Sequence, residues 1–264
     1  MARPVIALLT DFGTRDHYTG TMKAVALSIC PEATLVDISH EIDPHDIFDG
    51  AIQLASTYHY FPASTIFLVV IDPGVGSERS GLAAEVGGYR FVAPDNGVLS
   101  GVFAGKEPTQ VVEITERRYA RPTVSKTFEG RDKFAPAAAW LAKGVKLTAL
   151  GRPTSKFLRL DLPSADVSSD GIKGEVLRVD RYGNVVTNIS RKDFERLSGQ
   201  GGIQLTIGSY RVERVVGTYA EIAEGEVCAL FGSTDHLELA ANSSNAADSL
   251  QVKRGSEVSI LRTK

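Results

Sequence analysis

Apolar positions in the first 160 residues alternate between two patterns: short continuous runs, and longer stretches in which they recur three or four residues apart. "PVIALLT", "ATLVDIS" and "STIFLVVID" read as strands, with "YTGTMKAVALSIC" and "DIFDGAIQLASTYHYF" as the helices between them. In the second helix Ile47, Ala51, Leu54, Ala55 and Tyr58 share one face, Asp46 stands at the N-cap position, and His59 is expected to pack. Two further strands, "LAAEV" and "RFVAP", follow. A helix over "RDKFAPAAAWLAKG" comes next, and Pro136 is expected to delay or kink it. The βαβαβ rhythm predicts an α/β domain with Rossmann-like α/β/α layers over residues 1–165.

The periodicity then stops. "DLPSADVSSDG", Asp161 to Gly171, is rich in Pro, Ser, Asp and Gly and has the composition of a linker. Beyond it come short runs of Val, Ile and Leu between turn residues: "KGEVLRVD", "NVVTNI", "GIQLTIG", "YRVERVV", "EVCALF", "HLELAA" and "EVSILR". This spacing predicts an all-β barrel domain over residues 166–264.

Composition narrows the partners. The 264 residues carry 29 basic and 32 acidic side chains, interspersed, for a net charge of −3. No basic footprint for nucleic acid or an anionic membrane is present, so a small molecule is the expected partner. Cys30 and Cys228 are far apart and outside any C-x-x-C pair, which argues against a disulfide framework and for a reducing, cytoplasmic setting. The N-terminal run "VIALL" is too short for a secretory or membrane segment.

Chemistry concentrates where strands end. "VVIDPGVGSER" resembles a phosphate loop, but the position of a third glycine is Arg79 and no Walker lysine follows. What remains is Asp72 at a strand end and Arg79 seven residues on, across a turn made tight by Pro73, Gly74 and Gly76, which suits an acid–arginine pair. Asp11 in "LLTDFG" and Asp95 with Asn96 in "VAPDNG" also follow strands, where ligands of open α/β sheets bind. Each acid by itself could simply cap a turn. Together they suit a cationic ligand, such as a sulfonium, and a ribose diol; a magnesium site is the less favoured alternative, because nothing nearby grips a phosphate. The five histidines show no metal-ligand spacing.

Five motifs in order, "LLTDFGTRDHYTGTMK", "IDPGVGSER", "APDNGVLS", "TFEGRDKFAPAAAW" and "VDRYGNVVTNIS", resemble those of the S-adenosylmethionine hydroxide adenosyltransferases (DUF62), relatives of fluorinase and chlorinase. The resemblance implies hydrolysis of S-adenosyl-L-methionine to adenosine and L-methionine without metal or other cofactor, an α/β domain joined to a β-barrel, and a homotrimer with sites between subunits. It makes Asp72 and Arg79 the groups that grip the attacking water, with Glu129 where the family has a histidine. Asp11 is then expected at the ribose hydroxyls, Asp16, Asp180 and Ser233 at the amino and carboxylate ends of the methionine, Asn184 at the adenine edge, and Tyr182 and Tyr219 on the faces of the base. Tyr18 is then expected at the methionine, and Asn96 in the substrate-binding set. "DRYGN" could also be no more than a hairpin turn. Halogenation fits less well, since two carboxylates repel a halide and Val75 supplies no hydroxyl. A binding protein that turns nothing over is the alternative that Glu129 keeps open.

Overall fold

The computed structural model describes residues 3–199 and 201–263. The chain divides into two compact units, Met1–Asp161 and Leu162–Lys264.

The N-terminal unit begins β1 (Val5–Thr10), α1 (Tyr18–Ile29), β2 (Thr34–Ser39), α2 (Ile47–Thr57) and β3 (Ile66–Val70). It continues with β4 (Gly81–Val86), β5 (Tyr89–Pro94), α3 (Ser100–Gly105), β6 (Gln110–Ile114), α4 (Ala135–Ala142) and β7 (Gly151–Pro153). Among the described residues these strands form one sheet in the order β2-β1-β3-β5-β4-β6-β7. The sheet is mixed: β2, β1, β3 and β5 pair in parallel, whereas β4, β6 and β7 join antiparallel.

The continuous apolar run of β3 reflects burial on both faces. Ile66, Leu68 and Val70 pack with Met22 and Val25 of α1 and with α4. Phe67, Val69 and Ile71 pack with Leu54 of α2 and Val102 and Phe103 of α3. Asp46 caps α2, accepting from Asp49 N at 3.0 Å. His59 departs from expectation: α2 ends at Thr57, and His59 lies in the exposed 3₁₀ turn that follows.

Before α4 the chain makes a π-helical turn over Gly130–Phe134. Pro136, in the first turn of α4, has no N–H to donate to the carbonyl of Asp132. That carbonyl accepts from Arg121 N at 2.8 Å instead, so the proline both widens the turn and ties a distant loop to it.

The C-terminal unit comprises β8 (Asp166–Val167), β9 (Gly171–Val179), β10 (Val185–Ser190), α5 (Arg191–Ser198), β11 (Ile203–Ile207), β12 (Tyr210–Val212), β13 (Val227–Phe231), β14 (His236–Ala241), α6 (Ala246–Leu250) and β15 (Glu257–Arg262). Its antiparallel sheet runs β12-β11-β15-β9-β10-β14-β13, with β8 on β9. The ends approach one another, since Val215, just past β12, bridges Ala229 of β13, and the sheet nearly closes into a barrel. The unit is not purely β. Helix α5 buries Phe194 and Leu197, and Ser190 caps it by accepting from Asp193 N at 3.1 Å.

Candidate active site

Asp72 is the second residue beyond β3, and the turn after it folds back on itself. Val75 N donates to Asp72 O at 3.2 Å, and the Ser77 hydroxyl donates to Gly74 O at 2.7 Å. Gly76 is required here: its φ is +79°, and a Cβ would lie 2.2 Å from Lys126 O. The return brings Arg79 under Asp72. Its Nε donates to Asp72 Oδ1 at 2.7 Å and its Nη2 to Oδ2, a bidentate fork that fixes both groups.

The same Nη2 donates to Glu129 Oε2 at 2.7 Å, so one guanidinium serves two carboxylates. All three side chains are largely withdrawn from solvent, at 4% exposure for Asp72, 10% for Arg79 and 15% for Glu129. The ring of Phe134 lies beneath, its centroid 5.1 Å from the guanidinium carbon. Burial pushes the Asp72 carboxyl up, and the contacts from Arg79 only partly offset this; the Glu129 charge adds to it.

Glu129 stands at the start of the π-helical turn, and Asp132 braces that turn. The Asp132 carboxylate accepts from Arg131 Nε and Nη2, both at 2.7 Å, and from Ser125 N at 2.8 Å. Burial alone would raise its pKa, but these donors outweigh burial and hold it below the usual carboxylate range.

A cavity of about 390 Å³ opens over this cluster, with Asp72, Glu129, Tyr18 and His17 in its lining. Sequence reasoning missed its apolar wall, Phe12 and Phe128, which pack edge to face with each other and with Tyr18 at centroid distances of 5.3 to 5.9 Å. The available signal was a phenylalanine inside each acid-bearing turn, "TDFG" and "TFEG".

Other expected residues are not in this cavity's lining. Asp11 Oδ2 accepts from His45 N at 2.9 Å, and Asp16 is exposed. Asn96 is occupied structurally: its amide donates to Ile71 O at 2.7 Å and its oxygen accepts from Val98 N at 3.2 Å, which braces the end of β3. Asp95 likewise accepts from Leu158 N at 2.8 Å.

In the C-terminal unit, Asp180 builds the β9–β10 turn, accepting from Tyr182 N and Asn184 N, each at 2.8 Å, and from Asn184 Nδ2 at 3.0 Å. "DRYGN" is therefore a hairpin turn, and a cavity adjoins it. A second cavity of about 490 Å³ is lined by Tyr182, Asn184, Tyr219 and Ala241 with Ser243 and Ser244. Ser233 lies in the exposed β13–β14 turn, outside that lining. Among the described residues no group of three or more His, Cys, Asp or Glu could hold a metal ion.

Comparison with known proteins agrees with this layout. Residues 6–151 match the SAM hydroxide adenosyltransferase N-terminal domain, and residues 174–259 match the corresponding C-terminal domain. The chain is 36% identical to an (R)-S-adenosyl-L-methionine hydrolase of Salinispora tropica, over 97% of each chain. It is also 36% identical to an (R)-S-adenosyl-L-methionine hydrolase of Thermus thermophilus, over 98% of this chain and all of the other. A crystal structure of a conserved protein from Thermotoga maritima superposes with a TM-score of 0.92 at 36% identity, covering 97% of this chain and all of that one. Acid-bearing turns, fold and sequence thus converge: the chain belongs to the SAM hydroxide adenosyltransferase family.

Proposed function

We propose that this protein hydrolyses S-adenosyl-L-methionine to adenosine and L-methionine. The observation that carries the reading is the Asp72–Arg79–Glu129 cluster at the base of a cavity, in a chain similar over nearly its whole length to proteins named (R)-S-adenosyl-L-methionine hydrolase. Water held by the carboxylates attacks C5′ of the ribose. The C5′–O bond forms as the C5′–S bond breaks, and the bonding pair returns to sulfur, so the sulfonium leaves as a neutral thioether. The water's proton passes to a carboxylate and then to solvent. A carboxylate whose pKa is raised is the stronger base, which suits Asp72 to that role. Arg79 keeps the two acids in place and in register with the water.

Two carboxylates at the nucleophile position favour water over a halide, since each would repel the anion at close range. The nucleoside end falls to the C-terminal unit in this reading, with Asn184 at the adenine edge and Tyr182 and Tyr219 on its faces; Asp11 takes the ribose diol, and Asp16 and Ser233 the ends of the methionine. Asp180 acts there by holding Asn184 as much as by contact with substrate. Rossmann-like layering of the N-terminal unit, a homotrimeric assembly, a cytoplasmic setting, and independence from metal, cofactor, nucleic acid and membrane belong to the same proposal. The packing of helices against both faces of the sheet supports the layering. Among the described residues no helix is long and apolar enough to cross a membrane.

Incubation with S-adenosyl-L-methionine in ¹⁸O-water and excess chelator is the test. Equal amounts of methionine and of adenosine carrying ¹⁸O at its 5′ position are expected. Unchanged substrate, despite binding, would instead make the protein a sensor, and a 5′-halo-5′-deoxyadenosine formed in the presence of halide would make it a halogenase.

A further inference from the structure

Two carboxylates converge on one guanidinium, which leaves the Asp72–Arg79–Glu129 cluster one positive charge short. A second cation stands beside it. Lys133 lies in the π-helical turn four residues after Glu129, and its Nζ is 5.9 Å from the centroid of the Phe134 ring, the ring that also carries Arg79. Gly81, at the start of β4, makes room for this packing: a Cβ there would lie 2.4 Å from Phe134 Cε1 and 3.2 Å from Lys133 Cε. Lys133 is partly buried, and among the described residues its ammonium makes no hydrogen bond or ion pair. A desolvated ammonium with no direct partner is costly unless a surrounding field favours it. Here burial lowers its pKa, Arg79 adds to that, and Glu129, Glu113 and Asp72 oppose it.

We propose that Lys133 is a positioning residue that supplies the missing positive charge and so favours the ionised form of Asp72 beside Glu129, where the attacking water is held. The proposal rests on the hydrolase reading for its consequence in catalysis, though not for its electrostatics. The other charged groups facing the cluster are already committed. Glu113 of β6 accepts from the Ser80 hydroxyl at 2.6 Å, Asp95 from Leu158 N, and Arg131 is spent on Asp132. His17, in the cavity lining, is common to parent and variants.

Removing the Lys133 charge makes Asp72 easier to protonate, so activity that needs its carboxylate is lost from the acid side. The experiment compares the parent with Lys133→Met, Lys133→Gln and Lys133→Arg, by carboxyl-¹³C NMR titration of Asp72 and by single-turnover adenosine formation across pH. In Lys133→Met and Lys133→Gln the apparent pKa read at Asp72 is expected to rise by about one unit, so turnover well below that pKa falls about tenfold while turnover well above it stays within about twofold. Lys133→Arg should restore the parent profile. Superimposable titrations of parent and Lys133→Gln would overturn the proposal, as would a pH-independent loss that arginine does not restore, which marks a packing role. A parent that forms no adenosine overturns the hydrolase reading alone, because the NMR titration still decides the electrostatics.

Discussion

At the residue scale, opposing forces act on the Asp72 proton. Withdrawal from water favours the neutral acid, the Arg79 fork favours the carboxylate, and the balance leaves the group above its usual range. A base must be ionised to work, so turnover is expected to fall as pH drops through this raised pKa and to hold above it; single-turnover rates across pH measure this. Asp72→Asn and Arg79→Ala should each lower turnover by about a hundredfold or more while calorimetric binding of S-adenosyl-L-methionine changes little, because Asp72 holds the water and Arg79 holds Asp72, so both act mainly in the transition state. If Asp72→Asn abolishes binding, or turns over like the parent, Asp72 does not hold the water. Glu129→His should keep substantial activity with an altered pH profile, since an imidazole can also orient Arg79 or take a proton. The Asp72–Arg79 pair was legible in "VVIDPGVGSER", because seven residues and a glycine turn suffice to close it. Glu129 lies 50 residues from Arg79, and no local pattern joins the two.

At the element scale, the π-helical turn sets where Glu129 and Lys133 point, and Asp132 holds that turn to the segment from Arg121 to Ser125. Asp132→Asn should cost about 2 kcal/mol in urea unfolding, the scale of hydrogen bonds to a charged group. Since the folded-state pKa of Asp132 is depressed, its contribution is fully present above the unfolded value, near pH 4, and is lost as pH falls through the folded one. An Asp132→Asn protein as stable as the parent at pH 7 would show the brace to be dispensable. The long strands and α2 were legible because their periods are strong. Helix α3, only six residues long, is too short to show a period, and β6 went unread between polar flanks. Helix α5 escaped because only Phe194 and Leu197 mark its buried face.

At the scale of the whole molecule, each unit carries its own core. Ile172, Val176, Val185, Leu205, Leu239 and Ile260 belong to a cluster confined to the C-terminal unit, whereas the two clusters flanking the N-terminal sheet draw on that unit alone. Residues 162–264 expressed alone are therefore expected to unfold cooperatively in urea, with circular dichroism and tryptophan-independent fluorescence giving coincident transitions. A fragment that is disordered, or that unfolds without cooperativity, would show that its core depends on contacts beyond it. The proposed homotrimer is a separate matter, and light scattering at micromolar concentration that finds a fully active monomer would remove it.

Period and turn chemistry are local, and the sequence by itself determined what they control: the alternation of strands and helices in the first unit, the β-rich second unit, the cap at Asp46 and the acid–arginine turn after β3. The tertiary structure alone decided which distant residues meet. Sheet order brings the end of β3 beside the π-helical turn, Pro136 diverts a carbonyl to Arg121, and Phe12 and Tyr18 from one segment and Phe128 from another close one wall. It also engages Asn96 in bracing a strand end and Asp180 in shaping a hairpin, roles that their positions after strands did not announce. The physical reason is that a side chain's chemistry is set by its type, whereas its burial and its partners are set by packing across the whole unit.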